Sequence, residues 1–458
     1  MSMTYDPKSF APLVFHTERE RFLQQQSTPT DFLEQCLSHI QAREDEVRAW
    51  VVLDIEGARA AARESTQRYQ QGRPLSAIDG MPIGVKDVIE TRDMPTEHGS
   101  PIFKGNHTGN DAASVQALRA AGAIILGKTV TTELAFLDPG PTTNPYDPTR
   151  TPGGSSSGSA AAVAANMVPA ALGTQVIGSI LRPSGFCGVW GFKPTYGALT
   201  RGEALVYSQS HLGVHAGCAR DAWLVAQAIS QREGGDPGCF GLYGNDHSLY
   251  ARPPRRLAVV QGAAWEHVDK DSLNAFDDLL SRLSAAGVEI VEAGSNPLVN
   301  YLEALLQESA TLSVAICAWE QRARLENMLA KHADGLGPKL RELLAQAQAI
   351  SLDEHRLALL KRDILDQAHR AVASVADGLI TLSANGPAPN AQQALNGPYP
   401  TGDVTFSSIS TILRAPAVNI PLLAVDNLPV GVQLITQPNQ DAALMSFAQW
   451  MAEMYLQK

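Results

Sequence analysis

Two serine-bearing loops and one lysine offer chemistry in this sequence. The stretch TPGGSSSGSAA, residues 151–161, carries four serines, and Ser179 follows Gly178 in a second turn-prone segment. Lys86 ends the apolar run that starts at Met81, so we expect the lysine to be buried. Because burial disfavours an ammonium, this lysine could be a neutral amine that acts as a base. Two serines and such a lysine, without histidine, would form a Ser–Ser–Lys relay, in which the lysine deprotonates a bridging serine and that serine deprotonates the nucleophile. From spacing alone, a purely structural Gly/Ser loop is the stronger reading.

The same loop matches the nucleophile elbow of α/β-hydrolases. Residues 154–158 read GxSxG, with Ser156 as the central serine. That elbow requires a strand immediately before it, whereas the preceding TTNPYDPTRTP carries three prolines and cannot form a central strand. A triad would also need a histidine, and no histidine stands in a distinctive context. The candidates are His211, His215, His247 and His267.

A second short pattern resembles a phosphate-binding loop. Residues 122–129 match GxxxxGK[ST] letter for letter. The four middle residues are apolar and read as a strand, while TVTTEL after Lys128 is a poor start for a helix. We therefore expect a structural role for this segment and no nucleotide binding.

The composition favours a soluble globular protein in a reducing compartment. The chain has 458 residues, of which 44% are hydrophobic and 18% charged, and its net charge is −11. Such a charge argues against nucleic acid as a partner, since phosphate binding needs a basic face. We find no secretory signal pattern and no apolar run of the ~20 residues that span a bilayer, so we expect a cytoplasmic protein with no membrane partner. Five widely spaced cysteines indicate neither a disulfide framework nor a zinc site, and no metal or cofactor is expected.

Alternating apolar runs and amphipathic segments predict the elements that position these loops. The alternation implies an α/β fold, with a mixed, largely parallel twisted sheet covered by helices on both faces. Thr30 is expected to cap the helix that follows it. The Pro/Gly/Asn-rich residues 384–403 read as a surface or lid loop. Strands are predicted within residues 81–85, 123–126, 255–262, 288–291, 378–383, 415–423 and 429–435, and helices within 28–72, 111–122, 270–286, 297–376 and 441–458.

Residues 152–197, PGGSSSGSAAAVAANMVPAALGTQVIGSILRPSGFCGVWGFKPTYG, resemble the signature sequence of the amidase signature family. Within the family, GVKDVIETRDMPTEHGS and the triple-serine loop look most like malonamidase-type enzymes. The resemblance implies a single amidase signature domain over residues 1–458, with a signature core at about 80–200 and a variable, mostly helical substrate-capping region at about 297–376. Further similar blocks are GMPIGVKDVIET (80–91), AGAIILGKTVTTEL (121–134), NPYDPTRTPGGSSSGS (144–159) and APAVNIPLL…LPVGVQLI (415–435).

The resemblance assigns a Ser–cis-Ser–Lys triad to three residues. Lys86 is implied as the general base in its neutral form, Ser155 as the bridging serine next to a cis peptide bond, and Ser179 as the nucleophile. Arg182 takes the position of a carboxylate-binding arginine in malonamidase-like enzymes, with a structural contact as the alternative. Ser156 could add a hydrogen bond to the triad or the substrate. The implied oxyanion hole consists of the backbone N–H groups of Val176, Ile177, Gly178 and Ser179.

The turn before the nucleophile departs from the family pattern. Two glycines usually stand there, whereas this chain has Ile177 and Gly178, preceded by Val176. A β-branched residue resists a positive φ and adds bulk beside the reacting carbonyl. Either the turn uses an ordinary φ at Ile177 or the oxyanion hole is reshaped. An apolar rim of this kind would favour hydrophobic acyl or aryl groups.

The expected activity is hydrolysis of the C–N bond of amides or carbamates, with an apolar or aryl group, through an acyl-enzyme on Ser179. One alternative is a small acid amidase acting on malonamate-like substrates, with Arg182 as a carboxylate clamp. Another is an amidotransferase subunit that works in a tRNA-dependent complex and belongs to the same family. The expected partner is a small-molecule amide or carbamate, with a homodimer as one possible assembly.

Overall fold

The computed structural model describes residues 4–202, 207–242 and 249–456, and eleven strands within these residues form one sheet. Most strands are fully buried, as the apolar runs of the sequence predict. The strands are β1 (Trp50–Leu53), β2 (Pro82–Lys86), β3 (Ile124–Thr129), β4 (Ala170–Gln175), β5 (Trp190–Lys193), β6 (His211–Ala216), β7 (Arg256–Val259), β8 (Glu289–Val291), β9 (Gly378–Leu382), β10 (Ala417–Val425) and β11 (Leu428–Ile435).

Strand order and direction make the sheet mixed. The order is β1–β3–β2–β4–β6–β5–β10–β11–β9–β7–β8. Parallel pairs form two groups, β3–β2–β4 and β9–β7–β8, while the six remaining pairs among the described strands are antiparallel. The mixed sheet is confirmed, but its parallel part is smaller than expected. One reason is the tight turn at Asp426 and Asn427, both with positive φ, because a connection of two residues can only join antiparallel strands such as β10 and β11.

Helices cover both faces of the sheet, as predicted. In β7, Leu257 packs into one core with α8 and α15, while the next residue, Ala258, packs into a second core with α9 and α12. The described helices are α1 (Phe15–Leu23), α2 (Pro29–Val47), α3 (Ile55–Gln70), α4 (Ala113–Ala120), α5 (Ser157–Ala164), α6 (Leu181–Cys187), α7 (Ala219–Glu233), α8 (Lys270–Ala285), α9 (Pro297–Leu306), α10 (Ser309–Lys331), α11 (Pro338–Ala349), α12 (Leu352–Val372), α13 (Ala391–Leu395), α14 (Thr405–Ile412) and α15 (Asp441–Leu456). Across the described residues, no helix is both long and apolar enough to cross a membrane.

Two local predictions differ from the structure. The cap of α2 is Thr28, whose side chain and Asp31 bond each other's backbone N–H groups in a capping box, so Thr30 lies inside the helix. The predicted loop 384–403 contains α13, because the Asn390 side chain accepts the N–H of Gln393 and starts a short helix.

The parallel strands β2 and β4 place the chemistry at one edge of the sheet. Val85 pairs with Leu172, so Lys86 and Thr174 both lie where their strands end. The loop before α5 and the turn between β4 and α6 reach the same edge, since the carboxyl ends of parallel strands lie together.

A buried ion pair fixes the ends of β2 and β3. Lys128 Nζ lies 3.1 Å from Asp87 Oδ1, and neither side chain is exposed. Lys128 also donates to the Thr96 hydroxyl and the Pro95 carbonyl. Burial raises the pKa of Asp87, and the charge of Lys128 opposes that effect. The lysine of the phosphate-loop pattern is thus a structural residue of β3, as its sequence context predicted.

Replacing Lys128 with Met should lower the free energy of unfolding by about 3–5 kcal/mol, because Asp87 would be left buried without a counter-ion. The loss should shrink at acid pH, where the Asp87 carboxyl is protonated. Urea unfolding measures both effects. The control is the double variant Lys128→Met/Asp87→Asn, which should recover most of the loss. A double variant as unstable as the single one would contradict this account.

Candidate active site

Lys86 is completely buried at the carboxyl end of β2. Its Nζ lies 2.7 Å from Ser155 Oγ, 2.9 Å from Thr174 Oγ1 and 3.4 Å from the Thr174 carbonyl oxygen. No carboxylate of the described chain forms an ion pair with it. Burial, and then the charge of Arg182, lower the pKa of Lys86 well below its usual value. A neutral amine has two N–H groups and one lone pair, which match the two oxygens of Thr174 and the hydroxyl of Ser155.

Ser155 lies in the loop before α5, and the Gly154–Ser155 peptide bond is cis, as the resemblance implied. Gly153 has φ +81, and a Cβ there would stand 2.7 Å from Pro183 Cα. The loop therefore requires glycine at this position for both its backbone and its space. The Ser155 side chain is buried against Lys86, and its hydroxyl can act as a hydrogen-bond donor as well as an acceptor.

Ser179 lies in the turn between β4 and α6, on the wall of a cavity that both apolar and charged side chains line. Within the described chain, the N–H groups of residues 176–179 have no hydrogen-bond acceptor, so they are available to a developing oxyanion. Neither Ile177 nor Gly178 has a positive φ, so the turn uses an ordinary φ at Ile177. Gly178 is needed for room instead, since a Cβ there would lie 2.0 Å from Ser407 Oγ.

Arg182 joins the two serine segments. Its Nη2 donates to the Gly154 carbonyl at 2.7 Å, and its backbone N–H donates to the Gly178 carbonyl at 3.0 Å. The backbone N–H of Ser156 also donates to the Ser179 carbonyl, at 3.4 Å. These bonds place the Ser155 loop beside the Ser179 turn, at the strand end that carries Lys86.

The Arg182 side chain is mostly engaged by the protein. Nε donates to the Thr401 carbonyl at 2.9 Å, and Nη2 donates to the Thr401 hydroxyl as well as to Gly154. Burial lowers the pKa of Arg182 to about 10, so it is a cation at neutral pH. Nη1 is buried and has no hydrogen-bond partner among the described residues. Arg182 is one of the residues that line the cavity. A two-nitrogen grip on a substrate carboxylate is therefore unavailable, and one nitrogen remains for a ligand.

Ser156, predicted to take part in substrate binding, lies behind the cavity. It is fully buried, donates to the Thr174 carbonyl at 3.2 Å and accepts the Thr174 N–H at 3.3 Å. Because both bonds go to the backbone of Thr174, Ser156 acts on Lys86 through that residue and does not line the cavity.

The histidines weighed for an elbow triad are engaged elsewhere. His215 Nδ1 lies 2.8 Å from Ser184 Oγ, His211 Nδ1 lies 2.7 Å from the Gln209 carbonyl, and His267 is largely exposed. His247 lies outside the described residues. None of the three described histidines forms a hydrogen bond with the elbow serine.

Helices α10 and α11 and the segment before α14 complete the cavity over Ser179. Ile177, Cys317 and Val404 form one small apolar cluster with partly buried neighbours that include Val176 and Val314. Polar and charged side chains stand on the same wall. Beyond the nucleophile turn and Arg182, the lining includes Val88, His98, Leu134, Phe136, Leu137, Tyr207, Ser210, Val314, Cys317, Gln321, Arg324, Lys339, Glu342, Leu343, Gln346, Pro398, Tyr399 and Val404.

Gln175 holds the nucleophile turn, and the sequence analysis missed it. Its Oε1 accepts the N–H groups of Ile180, at 2.8 Å, and Leu181, at 3.1 Å. Its Nε2 donates to the Thr411 hydroxyl, which in turn donates to the Ile177 carbonyl at 2.9 Å. The available signal was a polar residue at the end of a small, apolar strand, immediately before the turn. Thr174, which contacts Lys86, carries the same signal.

Away from the cavity, three potential metal ligands lie together. His16 Nδ1 is 3.0 Å from Asp221 Oδ1 and 3.5 Å from Cys218 Sγ. The Asp221 carboxylate also accepts the N–H groups of Phe15 and His16 at the start of α1. The cluster therefore joins α1 to α7 through hydrogen bonds, which is a structural role.

The family model described as Amidase matches residues 31–445. This chain belongs to the amidase signature family. The expectation drawn from the Gly/Ser loop and its flanking blocks is confirmed, and the chain is an amidase-family enzyme acting on C–N bonds.

The relatives refine that assignment. A glutamyl-tRNA(Gln) amidotransferase subunit from Chloroflexus aggregans is 32% identical over 447 residues, covering 91% of each chain. A solved amidase structure superposes with a TM-score of 0.82 at 27% identity, covering 95% of this chain and 98% of that one. The native peptide amidase of Stenotrophomonas maltophilia gives a TM-score of 0.81 at 25% identity, covering 98% of each chain. These relatives are not named as malonamidases or carbamate hydrolases, so the finer resemblance to malonamidase-type enzymes lacks support.

Replacing Gln175 with Leu should slow labelling of the protein by a fluorophosphonate probe at least about tenfold, because the turn that carries the predicted oxyanion donors would lose its support. Labelling rate is measured against probe concentration, so that the maximal rate is separated from probe binding, and the maximal rate should fall. The control is Gln433→Leu, another buried glutamine, which bonds the carbonyls of Leu382 and Phe406. Equal slowing in both variants would show a general loss of packing and contradict the positioning role.

Proposed function

We propose that this chain hydrolyses amides through an acyl-enzyme on Ser179. The observation that carries the proposal is the buried Lys86 amine, 2.7 Å from Ser155 Oγ and without a counter-ion among the described residues. The unpartnered N–H groups around Ser179 support it, since a serine nucleophile needs both a base and an oxyanion site.

In the proposed reaction, Ser179 Oγ attacks the amide carbonyl carbon. Its proton passes to Ser155 Oγ as the Ser155 proton passes to Lys86 Nζ. The N–H groups of residues 176–179 hold the oxyanion. The relay then returns a proton to the amide nitrogen, the C–N bond breaks, and the amine leaves. Water then attacks the acyl carbon and gives a proton to the relay. The ester bond to Ser179 Oγ breaks, and the relay returns a proton to that oxygen as the acid leaves.

The cavity wall favours an apolar substrate. Val176 and Ile177 flank the nucleophile turn, and α10 adds Val314 and Cys317 opposite them. In this proposal α10 and α11 form the substrate-capping region expected at residues 297–376. An amide with an apolar or aryl group fits such walls, and carbamates, which share the carbonyl geometry, stay a prediction. A malonamate-like substrate clamped by two nitrogens of Arg182 is disfavoured, because the protein uses Nη2.

A second candidate is an amidotransferase subunit, which the names of the curated relatives favour over a lone amide hydrolase. That function would require a free glutamine in the cavity, with a carboxylate for its ammonium group. Glu342 supplies the one carboxylate of the described lining, and it lies 2.9 Å from Lys339 Nζ with 58% of its side chain exposed. Glu342 is therefore a poor partner for the ammonium group of glutamine, and the cavity favours hydrolysis of an amide without a free amino group.

Intact mass and peptide mapping after fluorophosphonate treatment should show one adduct, on Ser179. Lys86→Ala should slow that labelling by about 10²–10⁴-fold, the usual contribution of a general base. The control is Ser157→Ala at the start of α5. The Ser157 hydroxyl donates to the Val130 carbonyl, and its removal should leave the labelling rate unchanged. An adduct on Ser156, or no adduct on the folded protein, would contradict the proposal.

The same protein preparation also separates the two candidate functions. If the chain is an amide hydrolase, it should hydrolyse apolar anilides by itself and release no ammonia from glutamine. Glutamine hydrolysis that depends on added partner subunits would favour the amidotransferase subunit.

A further inference from the structure

The wall of the catalytic cavity is positively charged in an acidic protein. The described lining carries three cations, Arg182, Arg324 and Lys339, against the single carboxylate of Glu342. Glu342 is paired with Lys339, so Arg182 and Arg324 have no carboxylate partner within the described lining, although the charge of Asp403 acts on Arg182 from outside it. The whole chain carries −11. A cavity of one sign attracts substrates of the other sign.

Arg324 is the cation of the lining with guanidinium N–H groups available to a ligand. It lies on α10 and its Nη1 donates to Tyr207 Oη at 3.1 Å, while no described residue forms an ion pair with it. Its side chain is partly exposed to the cavity, whereas Arg182 is buried and held by three bonds to the protein.

His98 supplies a second polar group on the same wall. Its side chain forms no hydrogen bond with a described residue, and it packs against Phe103. Burial and the charge of Arg324 lower the pKa of His98 to about 4, so the ring is neutral at pH 7 and offers one N–H donor. Arg324 and His98 thus present a guanidinium and a neutral donor to one cavity.

The position of Arg324 along α10 indicates how far Arg324 and His98 lie from the amide that Ser179 would attack. Val314, Cys317, Gln321 and Arg324 follow one another at helical spacing along the cavity side of α10. Cys317 packs on Ile177, beside the nucleophile, and Arg324 lies seven residues further along. At 1.5 Å per residue, the guanidinium-bearing turn is about 10 Å along the helix from that contact.

We infer that Arg324 and His98 bind a carboxylate of the substrate, separated from the scissile amide by an extended apolar spacer. The inference rests on the proposed function and gives its substrate class: amides with an apolar chain that ends in a carboxylate, on the acyl or the amine side. A guanidinium binds a carboxylate through charge-assisted hydrogen bonds, and the apolar wall of α10 receives the spacer. We therefore expect a short acid amide such as malonamate to be too short to reach Ser179 and this pair together.

The test measures binding to the Ser179→Ala protein, which cannot turn over its ligand, by isothermal titration. The ligands are the monoamides of linear dicarboxylic acids with four to ten carbons, each paired with the neutral fatty amide of equal length. A second arm uses N-acyl derivatives of ω-amino acids, which carry the carboxylate on the amine side. For the longer members, the carboxylate should improve Kd at least about tenfold.

That preference should disappear when Arg324→Gln is added, persist in part with Arg324→Lys, and stay unchanged with the control Arg322→Gln. Arg322 is on the same helix but stacks on Trp319, with its guanidinium 4.3 Å from the ring centre. A preference in either arm that Arg324→Gln abolishes supports the site and identifies the side that carries the carboxylate. No preference in both arms, or one that survives Arg324→Gln, overturns it. Failure of the proposed function shows separately, as wild-type protein that the fluorophosphonate probe does not label.

Discussion

Lys86 and Ser155 make the contact on which the rest of the site depends, because the amine lies completely buried and no described carboxylate neutralises it. A second buried lysine, on the neighbouring strand, shows the effect of having a carboxylate partner. Lys128, at the end of β3, has Asp87 at 3.1 Å, and that carboxylate opposes the effect of burial on its pKa. Lys86 has only the two oxygens of Thr174 and the hydroxyl of Ser155. Lys128 is therefore a structural ion-pair partner, whereas the surroundings of Lys86 favour its proposed role as a neutral base.

Arg182 couples the geometry of the site to its electrostatics. Its bonds to Gly154 and Thr401 hold the serine loop against the segment that leads into α14. Its positive charge also lowers the pKa of Lys86, in the same direction as burial. A residue first considered as a substrate clamp therefore acts mainly on the protein, and this leaves the recognition of a remote substrate group to the helical region. There the wall of α10 is apolar near Ile177 and cationic at Arg324.

The sequence predicted those features of the site that depend on residues close together along the chain. The apolar run before Lys86, the glycines before Ser155 and the strand-like residues 123–126 each predicted what the structure shows. Contacts over long sequence distances were beyond that reasoning: Gln175 bonds Thr411, 236 residues away, and nothing in the helical pattern of α10 shows that Arg324 reaches the cavity. The proportion of parallel strands was overestimated for the same reason, since alternating segments fix neither strand order nor the central hairpin of β10 and β11.

The most direct test is the protonation state of Lys86, measured by NMR titration of the Nζ signals in protein labelled with ¹⁵N-lysine, with Lys86→Met to assign the signal. A group with a lowered pKa loses its proton below the usual range for lysine, so the neutral form should already dominate at neutral pH. Arg182→Gln should move the transition to higher pH by removing a neighbouring positive charge. The account predicts a neutral Lys86 amine at pH 7 in the wild-type protein; an ammonium that persists there and titrates like the surface lysines would contradict it.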